Sequence, residues 1–552
     1  MKRAVLEAAA LALAISLVGC GGDDGDGPAD GAVPLDASQP PPDASGSPDA
    51  ALSPDASGSP DASGSPDAGG SPDASVPSEG RIALTVIADR AAITDGVVSL
   101  GVPFPRGALG DESRLRVVDG SGAERPIHVA VLARWPQDGS IRSALVALRA
   151  TLARGEEERL EIEYGAPRTS ASPGALAPAP DGPAVAVLES EWYVRSGVSG
   201  AHVTREENTR FAEFDAELDS RLTSMSPAYT TYGVSCGGTT NHRTYYDGPH
   251  GLWQRFLRSA DADRYRRARE ESEWYRDNEL EWHEGRALAV QVCEDDGWTP
   301  SSKLDWGVIR RMTGQGMLDD YLLTGDPAAR EAVVAMGEAF VRSLPAQRGG
   351  RENSLLVTER NLAWTIMGVA AYYALDSRDE VREALESLVD EAIAWQARGT
   401  SGAFEHDLVR PDPSECSDGP SGGSPFMTSL LIDALMDAHA LTGDARIAGV
   451  VTRTAAWLRD TAATSDGRTF RYLWNCASDD YDDSTYVDLN LLIVHVFGAA
   501  YALSGDDAWL EAGDHFAEIG VDEMFVGRPK QWNQAARAFP RYMGYRAAGR
   551  AP

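Results

Sequence analysis

Cysteine is scarce in this chain, with five in 552 residues. That excludes a disulfide-dense scaffold, and no Cys or His spacing of a zinc site appears. Basic charge is also short: 50 Lys and Arg stand against 84 Asp and Glu, for a net charge of −34. Neutralising phosphate needs Lys and Arg, so nucleic acid is not expected as a partner. A polyanionic substrate would need a locally positive pocket. After the first eighteen residues no stretch reads as apolar enough to span a membrane. The length exceeds one small domain and suits two or more.

The start is distinctive. Lys2 and Arg3 precede the mostly apolar Ala4 to Val18, which closes on Leu17-Val18-Gly19-Cys20. This resembles a bacterial lipoprotein signal, with residues 1–19 removed and Cys20 lipidated. It implies an exported chain, anchored to a membrane by lipid and facing the periplasm or the cell surface. Residues 20–80 follow as a tether. Gly21 to Gly80 repeats "SPDASG" and holds twelve acidic residues and no basic one. Proline, glycine and like charge oppose a packed core and favour an extended spacer.

From residue 81 to 190 short runs rich in Val, Ile and Leu alternate with Gly, Asp and Pro, as in "RIALTVIAD", "IHVAVLARW" and "RLEIEYG". That pattern predicts an antiparallel β barrel or sandwich. Two motifs stand out, "GVPFPRGAL" (Gly101 to Leu109) and "RWPQDGSIRSALV" (Arg134 to Val146). They resemble the N-terminal RIFT-type barrel of the exo-acting rhamnogalacturonan lyase family. The resemblance covers Arg81 to Gly165. It implies that an (α/α) toroid follows and that the chain acts on a uronate-containing polysaccharide. Members of that family continue into further β domains beyond the toroid, so substrate specificity carries over poorly.

Residues 191–552 carry a recurring corner. Thr324-Gly325-Asp326-Pro327 recurs as Thr442-Gly443-Asp444 and Ser504-Gly505-Asp506, with degenerate copies at Ser259-Ala260-Asp261 and Ser377-Arg378-Asp379. Gly suits the left-handed residue that ends one helix, Asp the N-cap of the next, and Pro its first turn. The aspartates lie 65, 53, 65 and 62 residues apart, the size of a helical hairpin plus a long loop. Apolar helices precede the corners and amphipathic ones follow. Six inner helices with outer partners predict an (α/α)6 toroid, with an open solenoid as the alternative.

The loops opposite the corners are long, and long loops in a compact domain usually carry function. Inner-helix N-termini point at this rim and favour anionic groups. All four remaining cysteines fall on it. Three pairings are possible, and neighbouring hairpins favour Cys236–Cys293 and Cys416–Cys476. The densest polar cluster, "NHRTYYDGPH", offers His242, Arg243, Tyr245, Tyr246 and Asp247 where the first inner helix begins. Arg360 and Asn361 sit at the mouth of the third helix, and Glu405, His406 and Asp407 in the longest loop. Lys303, Asp305 and Trp306 open the second helix; Lys530, Trp532, Asn533 and Arg541 lie in the sixth.

Two chemistries fit. A lyase neutralises a uronate carboxylate, removes the adjacent proton and protonates the leaving oxygen. His242, Arg243, Tyr246, Arg360 and His406 are the types required, with Lys303, Trp306, Trp532 and Arg541 as substrate contacts. A glycoside hydrolase instead needs two carboxylates, for which Asp247, Asp305, Glu405 and Asp407 are available. Residue types alone do not decide; the family resemblance favours the lyase. A tethered glycan-binding protein without catalysis is the third reading. No cofactor is implied. Calcium at the acidic loop holding Asp479, Asp480, Asp482, Asp483 and Asp488 is the one alternative, although the EF-hand order is absent.

Overall fold

The computed structural model describes residues 78–232, 244–283, 286–294, 297–300, 312–349, 354–409, 416, 421–476 and 484–548. The chain first forms β1 (Gly80–Ile87), β2 (Ile93–Pro103), β3 (Leu115–Asp119), β4 (Glu124–Arg125), β5 (Ile127–Arg134), β6 (Ile141–Leu152), β7 (Glu157–Tyr164) and β8 (Val185–Leu188). They pair as two sheets, β4-β3-β7-β1-β8 and β2-β6-β5, antiparallel throughout. In β1 the alternation is clean. Ile82, Leu84 and Val86 are buried while Arg81, Ala83 and Thr85 are not. In β6 it is lost: every residue from Ile141 to Leu148 is buried. One face of β6 lines the barrel core and the other faces the helical domain, so apolar side chains are needed on both.

The helices are α1 (Ser190–Ser196), α2 (Ala212–Tyr232), α3 (Gly248–Leu257), α4 (Ala262–Trp274), α5 (Gln315–Thr324), α6 (Pro327–Gly349) and α7 (Glu359–Tyr373). After these come α8 (Asp379–Gln396), α9 (Pro425–Thr442), α10 (Arg446–Trp457), α11 (Asn490–Ile493), α12 (His495–Ser504), α13 (Asp507–Asp522) and α14 (Pro529–Ala548). Among the described residues α3, α5, α7, α9, the pair α11–α12, and α14 form the inner ring. The last returns to pack on α3, which closes the ring and rules out an open solenoid. Outside stand α2, α4, α6, α8, α10 and α13. The stretch Tyr486–Ser504 is in fact long and apolar enough to cross a membrane, contrary to the sequence expectation. It is 78% buried within the molecule, because it is an inner helix enclosed on all sides.

The repeated corners owe their shape to their residues. Gly325, Gly443 and Gly505 end their helices in the left-handed region, at φ 75°, 71° and 71°. Asp326 and Asp506 then accept from the amides of Ala328 and Ala508, both at 3.0 Å. The degenerate corner at Ala260 adopts the same conformation without glycine, at φ 52°. The fifth corner departs from the expectation. Asp379 is the first helical residue rather than the cap, and Asp376 turns the chain by accepting from the Arg378 amide at 3.3 Å.

These corners face the barrel. Ser143 donates to the carbonyl of Leu322 at 2.6 Å and Tyr321 to that of Leu132 at 3.2 Å. From α4, Arg266 pairs with Asp89 at 2.9 Å and Arg269 with Asp181 at 2.9 Å. The charged face expected to lie outside therefore also ties the two domains together. Gly101 lies flat on α5, where a Cβ would stand 2.0 Å from the Leu322 carbonyl oxygen. Backbone cannot yield as a side-chain tip can. Gly101→Ala is therefore expected to destabilise the protein by about 2 kcal/mol or more. Gly120→Ala, where a Cβ meets nothing within 4 Å, is expected to be neutral. Denaturant titration of the two variants checks this.

Candidate active site

Charge bridges the ring's interior. Asp433 and Asp437 lie one turn apart on α9, and Arg537 and Arg541 one turn apart on α14, so each pair shares a helix face. Arg537 contacts Asp433 at 2.9 Å and Gln315 at 2.7 Å. Arg541 contacts Asp433 at 2.8 Å and Asp437 at 2.7 Å, and Gln315 donates to Asp437 at 2.6 Å. The loop of contacts is closed. Between it and the barrel lies a cavity of about 80 Å³, lined in part by Trp135, Arg142, His250 and Asp319. Arg142 sits 4.8 Å over the Trp135 ring and donates to the Val198 carbonyl at 2.8 Å. The second family-like motif thus seats the barrel against the ring.

Arg541, expected to contact substrate, belongs to this network. It lies twelve residues into α14, about 18 Å below the mouth at 1.5 Å per residue. Trp532 is likewise buried, donating from its indole to the Leu218 carbonyl at 3.1 Å with Arg255 5.8 Å from its ring. It is wall rather than an open platform.

At the mouth, residues just before or at the start of inner helices converge. Tyr245 precedes α3, and its phenol oxygen accepts from Arg360, at the start of α7, at 3.0 Å. The Lys530 ammonium lies 5.9 Å from the Tyr245 ring. Asn533 donates to the Tyr245 carbonyl at 2.7 Å and holds that segment in place. Asp488, just before α11, also feels Lys530. Burial pushes its carboxyl up to about 6, and Lys530 opposes the shift only in part. Beside this group Glu359 and His406 form a buried pair at 3.1 Å. Glu359 also accepts from the Ser424 amide at 3.0 Å and the Thr428 hydroxyl at 3.3 Å.

Tyr246 has a different place from that expected. It is fully buried, 4.7 Å from the Tyr245 ring and 6.2 Å from that of Trp364, so it is packing below the mouth. Tyr246 and Asp247 both adopt positive φ, 66° and 59°. Two such residues in succession are strained and turn Tyr245 toward Arg360. Asp247 caps α3 through the His250 amide at 3.2 Å and accepts from Gly316 at 3.2 Å. That spends it structurally, as Ser401 at 3.0 Å does Glu405 and the Val409 amide at 3.0 Å does Asp407. His242, Arg243, Lys303, Asp305, Trp306, Cys20, Cys236 and Asp479 to Asp483 lie outside the described residues. Among the described residues no cluster of three potential metal ligands occurs.

Of the mouth residues, Glu359 was not named from the sequence, and Tyr245 and Lys530 were named within their clusters without a catalytic or substrate-contacting role. Lysine itself was the available signal. The chain has only Lys2, Lys303 and Lys530, against 47 arginines. An ammonium retained at an inner-helix start in so arginine-rich a chain marks a place where a compact cation is needed.

Cys416 and Cys476 form a disulfide, as expected, with Cα atoms 6.0 Å apart. It ties the loop carrying His406 to the one carrying Tyr472 and Trp474, next to the backbone pairings His406–Gly422 and Gly423–Trp474. Cys293 belongs to the strand Arg286–Glu294, and the expected pair Cys236–Cys293 lies outside the described residues and side chains. The bridge closes a loop of 60 residues. Cys416→Ser is expected to lose about 2–4 kcal/mol. Denaturant midpoints that do not differ between the variant and wild type would refute this.

A small antiparallel barrel seated on the corner side of an (α/α)6 toroid, with an ionisable mouth opposite, defines the class of molecule. More particularly, residues 81–163 match the family described as the PcRGLX-like N-terminal RIFT barrel domain. No curated protein matches the chain in sequence. Among solved structures it is similar to a sugar epimerase from a ruminal bacterium (15% identity, TM-score 0.42, covering 60% of this chain and 98% of that one). It is also similar to the cellobiose 2-epimerase of Spirochaeta thermophila (15%, TM-score 0.41, 61% and 98%). The unsaturated glucuronyl hydrolase of Bacillus sp. GL1 is a third (16%, TM-score 0.33, 42% of this chain), and the match spans only 61% of that chain. At these identities and scores the likenesses carry no argument about chemistry.

Proposed function

We propose that this chain is a carbohydrate-active enzyme that cleaves a uronate-containing polysaccharide by β-elimination, in the manner of a rhamnogalacturonan lyase. The observation that carries the reading is the Tyr245–Arg360–Lys530–Asp488 group at the one end of the ring that the barrel leaves uncovered. Arg360 and Lys530 supply the positive charge that a uronate carboxylate requires in an otherwise acidic protein. Tyr245, acting as its phenolate with Arg360 donating to the oxygen, takes the C5 proton and becomes the neutral phenol. The C4–O bond breaks as the C4–C5 double bond forms, and Asp488 gives its proton to the departing oxygen. The RIFT barrel supports the same class of substrate.

One observation favours a second reading. A carboxyl raised to about 6 also suits the general acid of a glycoside hydrolase. Binding without turnover is the third outcome. Purified protein incubated with rhamnogalacturonan and other uronate polysaccharides separates them. Ultraviolet absorbance from an unsaturated uronate, lowered at least about 100-fold by Arg360→Ala, supports elimination. New reducing ends without that absorbance indicate hydrolysis. Glycan retention with neither signal indicates a binding protein.

The polysaccharide and, through a lipid on Cys20, a bacterial membrane are the proposed partners. Cys20→Ser is expected to move the protein from the membrane to the soluble fraction.

A further inference from the structure

Phe426, Tyr472 and Tyr486 stand in a row. Their ring centroids are 4.9 and 4.8 Å apart, tilted by 33° and 35°. They come from three separate segments: the first turn of α9, the loop after α10, and the short helical turn Ser484–Leu489 before α11. Phe426 is buried, whereas Tyr472 and Tyr486 are half-buried, so the row runs from the core toward the accessible surface, with Tyr486 at its far end from Phe426.

The row touches the active-site group on both sides. Ser424, which gives its amide to Glu359, gives its hydroxyl to the Tyr472 carbonyl at 3.2 Å. Tyr486 is two residues from Asp488 on the same turn. Tyr486 has φ −103° and ψ 26°, outside the helical values of its neighbours, and its carbonyl is held by the Thr469 hydroxyl at 3.2 Å. This kink lays the Tyr486 ring on the stack while Asp488 stays in reach of Lys530. The ring and the acid are parts of one rigid turn.

We infer that Tyr486, backed by Tyr472 and Phe426, is a stacking subsite for the pyranose ring whose bridging oxygen receives the Asp488 proton. A pyranose presents an apolar C–H face that an aromatic ring accepts, and a backed ring loses little freedom on binding. The uronate occupies the Tyr245–Arg360 pocket and its neighbour in the chain lies on Tyr486. The site therefore takes a chain of at least two sugars and binds a single uronate poorly.

The inference rests on the proposed function, and the test separates the two. Asp488→Asn is used as a non-turning-over parent, and calorimetry follows binding of rhamnogalacturonan oligosaccharides and of free galacturonic acid. Adding Tyr486→Ala is expected to weaken oligosaccharide binding about three- to tenfold and leave galacturonic acid unchanged. Tyr486→Phe, which keeps the ring, is expected to match the parent. Unchanged oligosaccharide binding by a folded Tyr486→Ala protein overturns the subsite and leaves the proposed function standing. An equal loss for galacturonic acid also overturns it, since the ring would then serve the uronate pocket. Failure of the parent to bind any oligosaccharide overturns both.

Discussion

Asp433→Ala is expected to destabilise the protein by about 3–5 kcal/mol, the cost of leaving buried charges without their partner. Asp433 is 1% exposed and faces Arg537 and Arg541, themselves almost wholly buried. Water cannot replace a carboxylate there, so both guanidiniums would lose charge compensation at once. Burial raises the Asp433 carboxyl, but Arg541 and then Arg537 more than reverse that and hold it well below the ordinary range. The sign of the pH dependence follows. A depressed folded value contributes stability above the unfolded value near ~3.9, and that stability is lost as pH falls toward the folded value. The gap between wild type and Asp433→Ala should therefore narrow below about pH 4. Replacing the pair together, as Asp433→Leu with Arg537→Met, is expected to cost less than the sum of the single changes. Urea titrations at neutral and acid pH measure both. A loss under about 1 kcal/mol at neutral pH would mean that solvent reaches the network.

Such a network was beyond the reach of sequence pattern. Asp433 and Asp437 sit inside an otherwise apolar helix and Arg537 and Arg541 inside one already rich in polar residues, and a period of four on one helix says nothing about the partner helix. Arg541 was therefore read as a substrate contact. The corners were legible because they are local. A left-handed residue, a capping carboxylate and a proline act within four residues, and three of the five copies keep the glycine. The Ala260 and Asp376 variants show where that logic thins. The barrel was legible from alternation in β1 and from two motifs, though β6 hides its two buried faces as one apolar run.

The mouth was half legible. Long loops opposite short corners pointed to the rim on which Tyr245, Arg360 and Lys530 come together, and Arg360 and His406 were named there by type. Which tyrosine of the Tyr245–Tyr246 pair faces Arg360 is decided by two successive positive φ values, a backbone state that residue identities there do not advertise. Glu359 and Asp488 acquire their character from what covers them. Burial is a property of the assembled ring and not of the residue.

That dependence on burial gives the clearest catalytic test. If Asp488 is the acid that protonates the leaving oxygen, the rate should fall as pH rises through about 6, where the carboxyl gives up its proton. Asp488→Asn cannot supply a proton at any pH. It is expected to lose about 10²–10⁴-fold in kcat and to lose this limb of the pH profile. The same group also gives stability a pH trend, opposite in sign to that of Asp433. Its folded value lies above its unfolded one, so the folded state holds more protons between them, and stability should rise as pH falls from about 6 toward about 4. Activity and stability at this residue would then change together with acidification. Lys530→Met sharpens the argument, because Lys530 is the charge that opposes the burial shift. Removing it should move the limb to higher pH, whereas a limb belonging to another group would stay in place. A wild-type limb that survives in Asp488→Asn would reassign the proton to another residue of the mouth, with the Glu359–His406 pair next in line.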